Sequence, residues 1–270
     1  MPTIIDQPLD ELLESLLADA TGPLYVIGPS ATVIEELVEV GTDVEDPPVI
    51  RLLAAESTLK DAVDDFLVAG RAADLVAEDC LTLRTVDSPP GADIVASEAD
   101  VTALVVAGES AAALSTDDDG FVEHAEGFYA DAWADAEAFS LRTPPLSRVR
   151  STLGEDLSPE VERDFDAVLS SLETARGNGD GLDEVTISLL VAAKNEALLY
   201  DISKWGEDVG IASKATFSRT KTELEDLGLI DTEKVPIDVG RPRLRLKFGH
   251  EKLAGASAED LAGVARSLMS

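Results

Sequence analysis

The chain has 270 residues, 45% of them hydrophobic and 28% charged, with a formal net charge of −33. That length holds one large or two ordinary domains, and the apolar share is enough for a real core, which excludes wholesale disorder. The 54 Asp and Glu residues outnumber 21 Lys and Arg and are spread along the chain, a surface suited to molar salt, where the Debye length falls to ~3 Å and self-repulsion is screened.

Cys80 is the only cysteine, so no internal disulfide forms, which fits a reducing cytosol; the residue reads as a small buried apolar group. The opening MPTIIDQPLDELLESLL lacks the basic segment of a signal peptide. No apolar run reaches the ~18 residues that cross a bilayer. The chain therefore reads as cytoplasmic, with no membrane partner.

Leu9, Leu12, Leu13, Leu16 and Leu17 predict a helix over residues 9–20, stopped by Gly22-Pro23. Leu24–Ile27 reads as a buried strand, Gly28-Pro29-Ser30 as a turn and Thr32–Val40 as a helix. Val49–Ala55 repeats the strand signal. Residues 57–79 follow as one or two helices, punctuated at Gly70. Segments 81–86, 93–97, 101–108 and 111–116 predict four short strands paired as a meander at one edge, and Phe121–Leu141 another helix. This order predicts an α/β mixed-sheet domain over 1–146 for sensing or dimerisation. Its two strand-to-helix turns offer free N–H groups, with Ser30 and Thr32 at the first and Ser57 and Thr58 at the second. They suit a small anionic metabolite as effector. Ordinary N-caps are the competing reading.

Residues 147–178 read as a helical connector, with a helix over Ser158–Leu172 capped by Ser158 and opened by Pro159. The glycine-rich stretch 175–183 reads as a linker. Only Arg51, Lys60, Arg71 and Arg84 are basic in residues 1–140; the remaining Lys and Arg follow.

Residues 179–270 carry the tighter pattern. Val185–Lys194 and Leu198–Val209 read as helices and Gly210 as a tight turn. Ser213 caps a third helix whose inward ridge is Phe217, Thr220, Leu224 and Leu227, with Gly228 as its C-cap glycine. Leu229–Val235 and Arg243–Phe248 read as strands joined across Pro236–Pro242. In the second, Leu244, Leu246 and Phe248 alternate with Arg243, Arg245 and Lys247, giving one apolar and one cationic face. Three helices and a hairpin is the order of a winged helix-turn-helix. Ser213, Lys214, Thr216, Ser218, Arg219 and Lys221 are the candidates for the major groove of double-stranded DNA. Arg241, Arg243, Arg245 and Lys247 are the wing candidates, with Arg241 at the tip for the adjacent minor groove. A homodimer would bring two such helices to successive major grooves, and a C-terminal helix over 251–270 is expected to add to an interface.

The segment GIASKATFSRTKTELEDLGLI (210–230) is similar to archaeal winged-helix regulators of the TrmB/MarR kind. The whole chain resembles the haloarchaeal TbsP-type transcriptional regulators. The resemblance implies a sequence-specific DNA-binding transcription regulator of central sugar metabolism in a halophilic archaeon. A TrmB-type protein usually places its winged helix first; here it comes last.

Other chemistry finds little support. His124 and His250 are the only histidines, too few for the paired His-Lys-Asp motifs of a phospholipase-like site. There is no Cys/His metal cluster, no P-loop and no GxGxxG, so no enzyme, cofactor or metal is expected. The alternative reading is a winged-helix adaptor that docks protein instead of DNA, but an adaptor has no need of four cations at alternate positions.

Overall fold

The computed structural model describes residues 3–88, 92–108, 110–172, 175, 182–236 and 242–269, and only the backbone of 3–6. The chain forms two compact units, Met1–Asp64 with Arg71–Leu141, and Asp65–Gly70 with Arg142–Ser270.

Among the described residues the first unit is built on eight strands: β1 (Thr3–Pro8), β2 (Leu24–Ile27), β3 (Ile50–Ala54), β4 (Leu81–Thr85), β5 (Asp93–Ala96), β6 (Val101–Ala107), β7 (Ser110–Thr116) and β8 (Glu137–Ala138). They form one mixed sheet in the order β1-β7-β6-β5-β2-β3-β4-β8. β2, β3 and β4 are parallel, and every other pairing is antiparallel. The helices are α1 (Leu9–Ala18), α2 (Ala31–Asp43), α3 (Glu56–Ala62), α4 (Phe66–Ala77, its first turn grouped with the second unit) and α5 (Asp119–Asp135). The parallel pairs need crossover connections, which α2 and then α3 with α4 supply.

Strand alternation sorts the core. Tyr25, Ile27, Leu53, Ala96 and Val101 face α5 and pack on Val122 and Ala125. Val26, Leu52 and Val95, of opposite parity, are buried on the other face. There α1 lies over Leu24, Val95 and Ala113, leaving a cavity of about 250 Å³.

Three expectations change here. β4 is not part of the meander: it extends the parallel set beside β3, because α3 and α4 complete a second crossover, and β1 takes the fourth place next to β7. The helical stretch after β3 breaks before Phe66 and not at Gly70. Asp65, only 3% exposed, accepts from the Leu67 and Ala175 amides and starts a new helix, while Gly70 lies within α4 against Leu146. The predicted helix over 121–141 ends at Asp135, and β8 follows. Cys80 is half-buried, and burial followed by Glu78, Asp46 and Asp79 pushes its thiol up.

The second unit contains α6 (Leu146–Asp156), α7 (Pro159–Ser170), α8 (Glu184–Lys194), α9 (Leu199–Val209), α10 (Lys214–Asp226), β9 (Ile230–Val235), β10 (Arg243–Phe248), α11 (Glu251–Ala254) and α12 (Ala258–Met269). One apolar core joins them. The stretch expected as connector supplies Val149, Leu153, Phe165 and Val168 to it, and the Thr152 hydroxyl accepts from the indole N–H of buried Trp205 at 3.0 Å. α12, expected at an interface, buries Leu261, Ala262 and Ala265 in this same core. Among the described residues no helix is long and apolar enough to cross a membrane, and no three His, Cys, Asp or Glu side chains could hold a metal ion.

Candidate nucleic-acid interface

α8, α9 and α10 followed by the β9–β10 hairpin form the winged helix. Ile187, Leu189 and Val191 of α8 are fully buried, with Ile202 and Trp205 of α9 and Phe217 and Leu224 of α10 around them. Gly210 at φ 97° lets the chain leave α9 in the left-handed region. Ser213 then caps α10 by accepting from the Thr216 amide at 3.1 Å, and its hydroxyl meets that of Thr216 at 3.0 Å. Thr216 is thus half-buried in the cap. Gly228, at φ 70°, follows the helix end as expected. Leu227 departs from the predicted inward ridge: it is the C-cap residue and 53% exposed, and Leu229, fully buried, fills the core there.

β9 and β10 pair antiparallel from Ile230↔Phe248 to Val235↔Arg243. A backbone bridge between Leu198 and Arg245 and a bond from the Leu246 amide to the Ala197 carbonyl, 2.9 Å, tie the hairpin to the start of α9. Leu246 is fully buried and Phe248 packs against the same core, while Leu244 is half-buried like Arg243, Arg245 and Lys247, so the inward face of the expected alternation is confined to Leu246 and Phe248. Arg241, the expected wing-tip contact, lies outside the described residues.

The outward surface of α10 carries Lys214, Ala215, Ser218, Arg219 and Thr222, all exposed. They fall at the spacings that place side chains on one helical face. Lys221 does not share it. Its side chain is 12% exposed and bonds Glu225 at 2.7 Å, while Glu225 accepts from the Thr232 hydroxyl of β9 at 2.8 Å. This link ties α10 to the hairpin.

The cations here meet carboxylates of the same domain. Lys214 Nζ lies 2.6 Å from Glu207 Oε2, and its backbone amide donates to Glu207 Oε1 at 3.4 Å. The N-terminus of the helix, a favoured place for a phosphate, thus holds a carboxylate of α9. Arg243 Nη1 is 3.3 Å from Asp201 Oδ1, and its guanidinium stacks 4.3 Å from the Tyr200 ring centroid. Lys247 pairs with Glu233, and Arg219 approaches Glu223 at 3.9 Å. Hydrogen bonds from Lys214 hold the Glu207 carboxyl below the usual carboxylate range, and that from Lys247 does the same for Glu233. Arg245 sits opposite Glu233 in the ladder and forms no ion pair among the described residues.

Sequence spacing did not single out Ala215 or Thr222, although their distances from Ser218 and Arg219 could have placed them on the face. Tyr200, Asp201 and Glu207 carry no local signal, because they reach the interface only through the packing of α9.

The first unit shows the same self-pairing. The Ser30 amide and hydroxyl donate to Asp93, at 3.0 and 3.4 Å, while Ser30 Oγ caps α2 by accepting from Val33 N at 3.4 Å. Thr32 follows in the first turn of α2. Ser57 and Thr58 lie in the first turn of α3, beside Glu56, which pairs with Lys60 at 2.7 Å. The turns after β2 and β3 sit at neighbouring strand ends, as expected, but Asp93 already takes the Ser30 donors at the first, and Glu56, paired with Lys60, stands at the second.

No curated protein matches the chain. Among solved structures it is similar to TrmBL2, described as an archaeal chromatin protein that shows a novel mode of DNA binding, at 13% identity and TM-score 0.36, over 51% of this chain and 54% of that one. The chain thus spans about half the length of TrmBL2. It is also similar to Nuc, a phospholipase D family member from Salmonella typhimurium, at 12% identity and TM-score 0.35, over 52% of this chain and 99% of that one. NucT from Helicobacter pylori matches at 9% identity and TM-score 0.36 with the same coverage. A family model for the N-terminal part of TbsP-like transcriptional regulators matches residues 1–144, and one for their C-terminal HTH domain matches 145–266. The chain belongs to the family of TbsP-like transcriptional regulators with a C-terminal HTH domain.

Proposed function

We propose that the chain is a cytoplasmic, sequence-specific regulator that reads double-stranded DNA as a homodimer. The observation that carries this is the exposed α10 ridge of Lys214, Ala215, Ser218 and Arg219, set on a buried three-helix core beside the β9–β10 hairpin. Small polar groups, a methyl and a guanidinium are what base edges in the major groove engage. Arg243, Arg245 and Lys247 would meet the backbone alongside, with Arg241 at the tip. The test is to enrich duplexes from a random library and measure gel-shift affinity for wild type and for Ser218→Ala with Arg219→Ala. Selective loss on the enriched sequence supports base reading; equal affinity for enriched and scrambled DNA would defeat it. The pairing of Arg243 and Lys247 with carboxylates favours the protein-docking alternative, and that same experiment separates the two.

Two aromatic side chains, Phe121 and Phe128, are 51% and 62% exposed on α5, seven residues apart and so on one helix face. They support a second copy as partner. The dense acidic surface supports work in molar salt, as in a halophile, and the family resemblance supports a role in sugar metabolism.

For sensing, the cavity under α1 fits better than the Ser30 and Ser57 turns, where Asp93 and Glu56 repel an anion. Ser97, Asp100, Thr102, Ser115 and Asp19 are among its lining, and no basic side chain lines it among the described residues. Ser97 and Ser115 donate their hydroxyls to Asp100 at 2.6 and 3.0 Å, and the Thr102 hydroxyl lies 3.0 Å from Ser115 Oγ and 3.3 Å from Asp100. Ser97 Oγ already accepts from the Ala99 and Asp100 amides, so the lone pairs left for a ligand are those remaining on Asp100, Thr102 and Ser115. The cluster suits a neutral, hydroxyl-rich molecule that donates. Such a ligand should raise the melting temperature of wild type and not that of Asp100→Ala; organic acids should act on neither.

A further inference from the structure

Three ion pairs lie on the face proposed for DNA. Lys214–Glu207, Arg243–Asp201 and Lys247–Glu233 each join a candidate phosphate contact to a carboxylate from α9 or β9. Both members of each pair are partly open, with side-chain exposures of 43% and 45%, 38% and 41%, and 41% and 51%. Pairs this open contribute little to stability, so separating them costs little.

A phosphate arriving at Lys214 finds its place taken. Glu207 spans the amide and the ammonium with its two oxygens, the contacts a phosphate would make at a helix N-terminus. If the phosphate displaces it, the freed carboxylate stays beside that phosphate, and two anions in contact must share a cation. The same follows for Asp201 beside Arg243 and Glu233 beside Lys247. Each neutralised phosphate sheds roughly 0.9 of a condensed cation, and each freed carboxylate can take up about one.

We infer that DNA binds this domain by exchanging Glu207, Asp201 and Glu233 for phosphates, and that the freed carboxylates take up alkali cations at the interface. The inference rests on the DNA-binding reading above and adds a ligand, the small monovalent cation, and a thermodynamic consequence. Ion release and ion uptake nearly cancel. The affinity of so acidic a protein then survives high salt because its own carboxylates do the counting, and screening of its net charge of −33 assists.

The test uses the full chain and one enriched duplex, titrated from 0.5 to 3 M KCl, with folding followed by circular dichroism. Wild type should give a log affinity against log salt slope near zero or positive. The triple variant Glu207→Gln, Asp201→Asn, Glu233→Gln should bind more tightly at 0.5 M. Its advantage should shrink by roughly a hundredfold across the range, about 0.9 in slope per pair. Glu123→Gln on α5 should behave as wild type. Replacing KCl by tetramethylammonium chloride at equal concentration should weaken wild type, since that cation is too bulky to bridge carboxylate and phosphate, and should leave the triple variant unchanged. No complex at any salt would overturn the DNA-binding reading itself. A complex with the same steep negative slope in wild type and triple variant, or no difference between the two cations in wild type, would overturn the exchange alone.

Discussion

The edge of the Phe217 ring occupies the space where a side chain at position 206 would stand, and position 206 is glycine. A Cβ there would collide with Cε2 and Cζ of a fully buried ring. This contact sets how closely α9 and α10 approach, and through it where the outward ridge of α10 lies relative to Glu207 and Asp201. Gly206→Ala should destabilise the domain by roughly 1–3 kcal/mol through overpacking, with part recovered by Phe217→Leu in the same chain. Urea unfolding of the single and double variants measures it. An additive double variant would show that the two positions do not compete for one space.

Arg219 and Lys221 stand two residues apart and should fail in different assays. Arg219 is exposed, so Arg219→Ala should leave unfolding unchanged and cost roughly 1–3 kcal/mol of discrimination on the enriched duplex. Lys221 is turned inward onto Glu225, so Lys221→Ala should cost about 1–3 kcal/mol of stability by leaving a half-buried carboxylate short of a partner. Its effect on DNA affinity at saturating fold should be small. The reverse pattern would move Lys221 back into the interface.

That contrast shows what a sequence can carry. The winged helix was legible nearly to the residue, because its signals are local: the Ser213 cap, Gly210 and Gly228 at positive φ, and the alternation from Arg243 to Phe248. The strands and helices of the first unit were also visible, but not the order of the sheet. β4 and the meander strands look alike in sequence, and only the crossover through α4 decides that β4 lies beside β3. β1 was missed because Thr3–Pro8 gains its strand character from pairing with β7. The cationic face was legible as charge, while its neutralisation was not. Asp201 is 42 residues from Arg243 in the chain, and nothing but the packing of α9 against the hairpin joins them.

The Lys214–Glu207 pair should also leave a pH signature. Glu207 is held below the ordinary Glu value of about 4.3, so the pair's contribution is complete above that value and disappears as pH falls through the lower folded one. Lys214 is raised by the same partner, so on the alkaline side the contribution is complete below about 10.4 and is lost as pH rises through the raised value. The melting-temperature difference between wild type and Glu207→Gln should therefore be level from pH 6 to 9 and shrink steadily as pH falls below about 4.3. Both groups are solvated, so it should be small and shrink further in molar salt. A difference that does not shrink at all as pH falls below about 4.3 would assign the effect of the substitution to something other than the ion pair.

The exposed aromatics of α5 give the homodimer its own test. Val122 and Ala125 face inward to Tyr25 and Val101, and Phe121 and Phe128 flank that face, turned about 80° from it round the helix, where half or more of each ring is exposed. In an acidic chain, large uncharged groups are where two copies can meet without bringing carboxylates together. Phe121→Ser with Phe128→Ser should cost little folding stability, because neither ring is buried in the chain alone. It should nevertheless convert a dimer to a monomer in sedimentation equilibrium in molar KCl. On a duplex with two half-sites one helical turn apart, the variant should lose cooperative occupancy, while its affinity for a single half-site stays unchanged. A wild-type monomer at tens of micromolar, or a variant that sediments as the wild-type dimer does, would remove α5 from the interface.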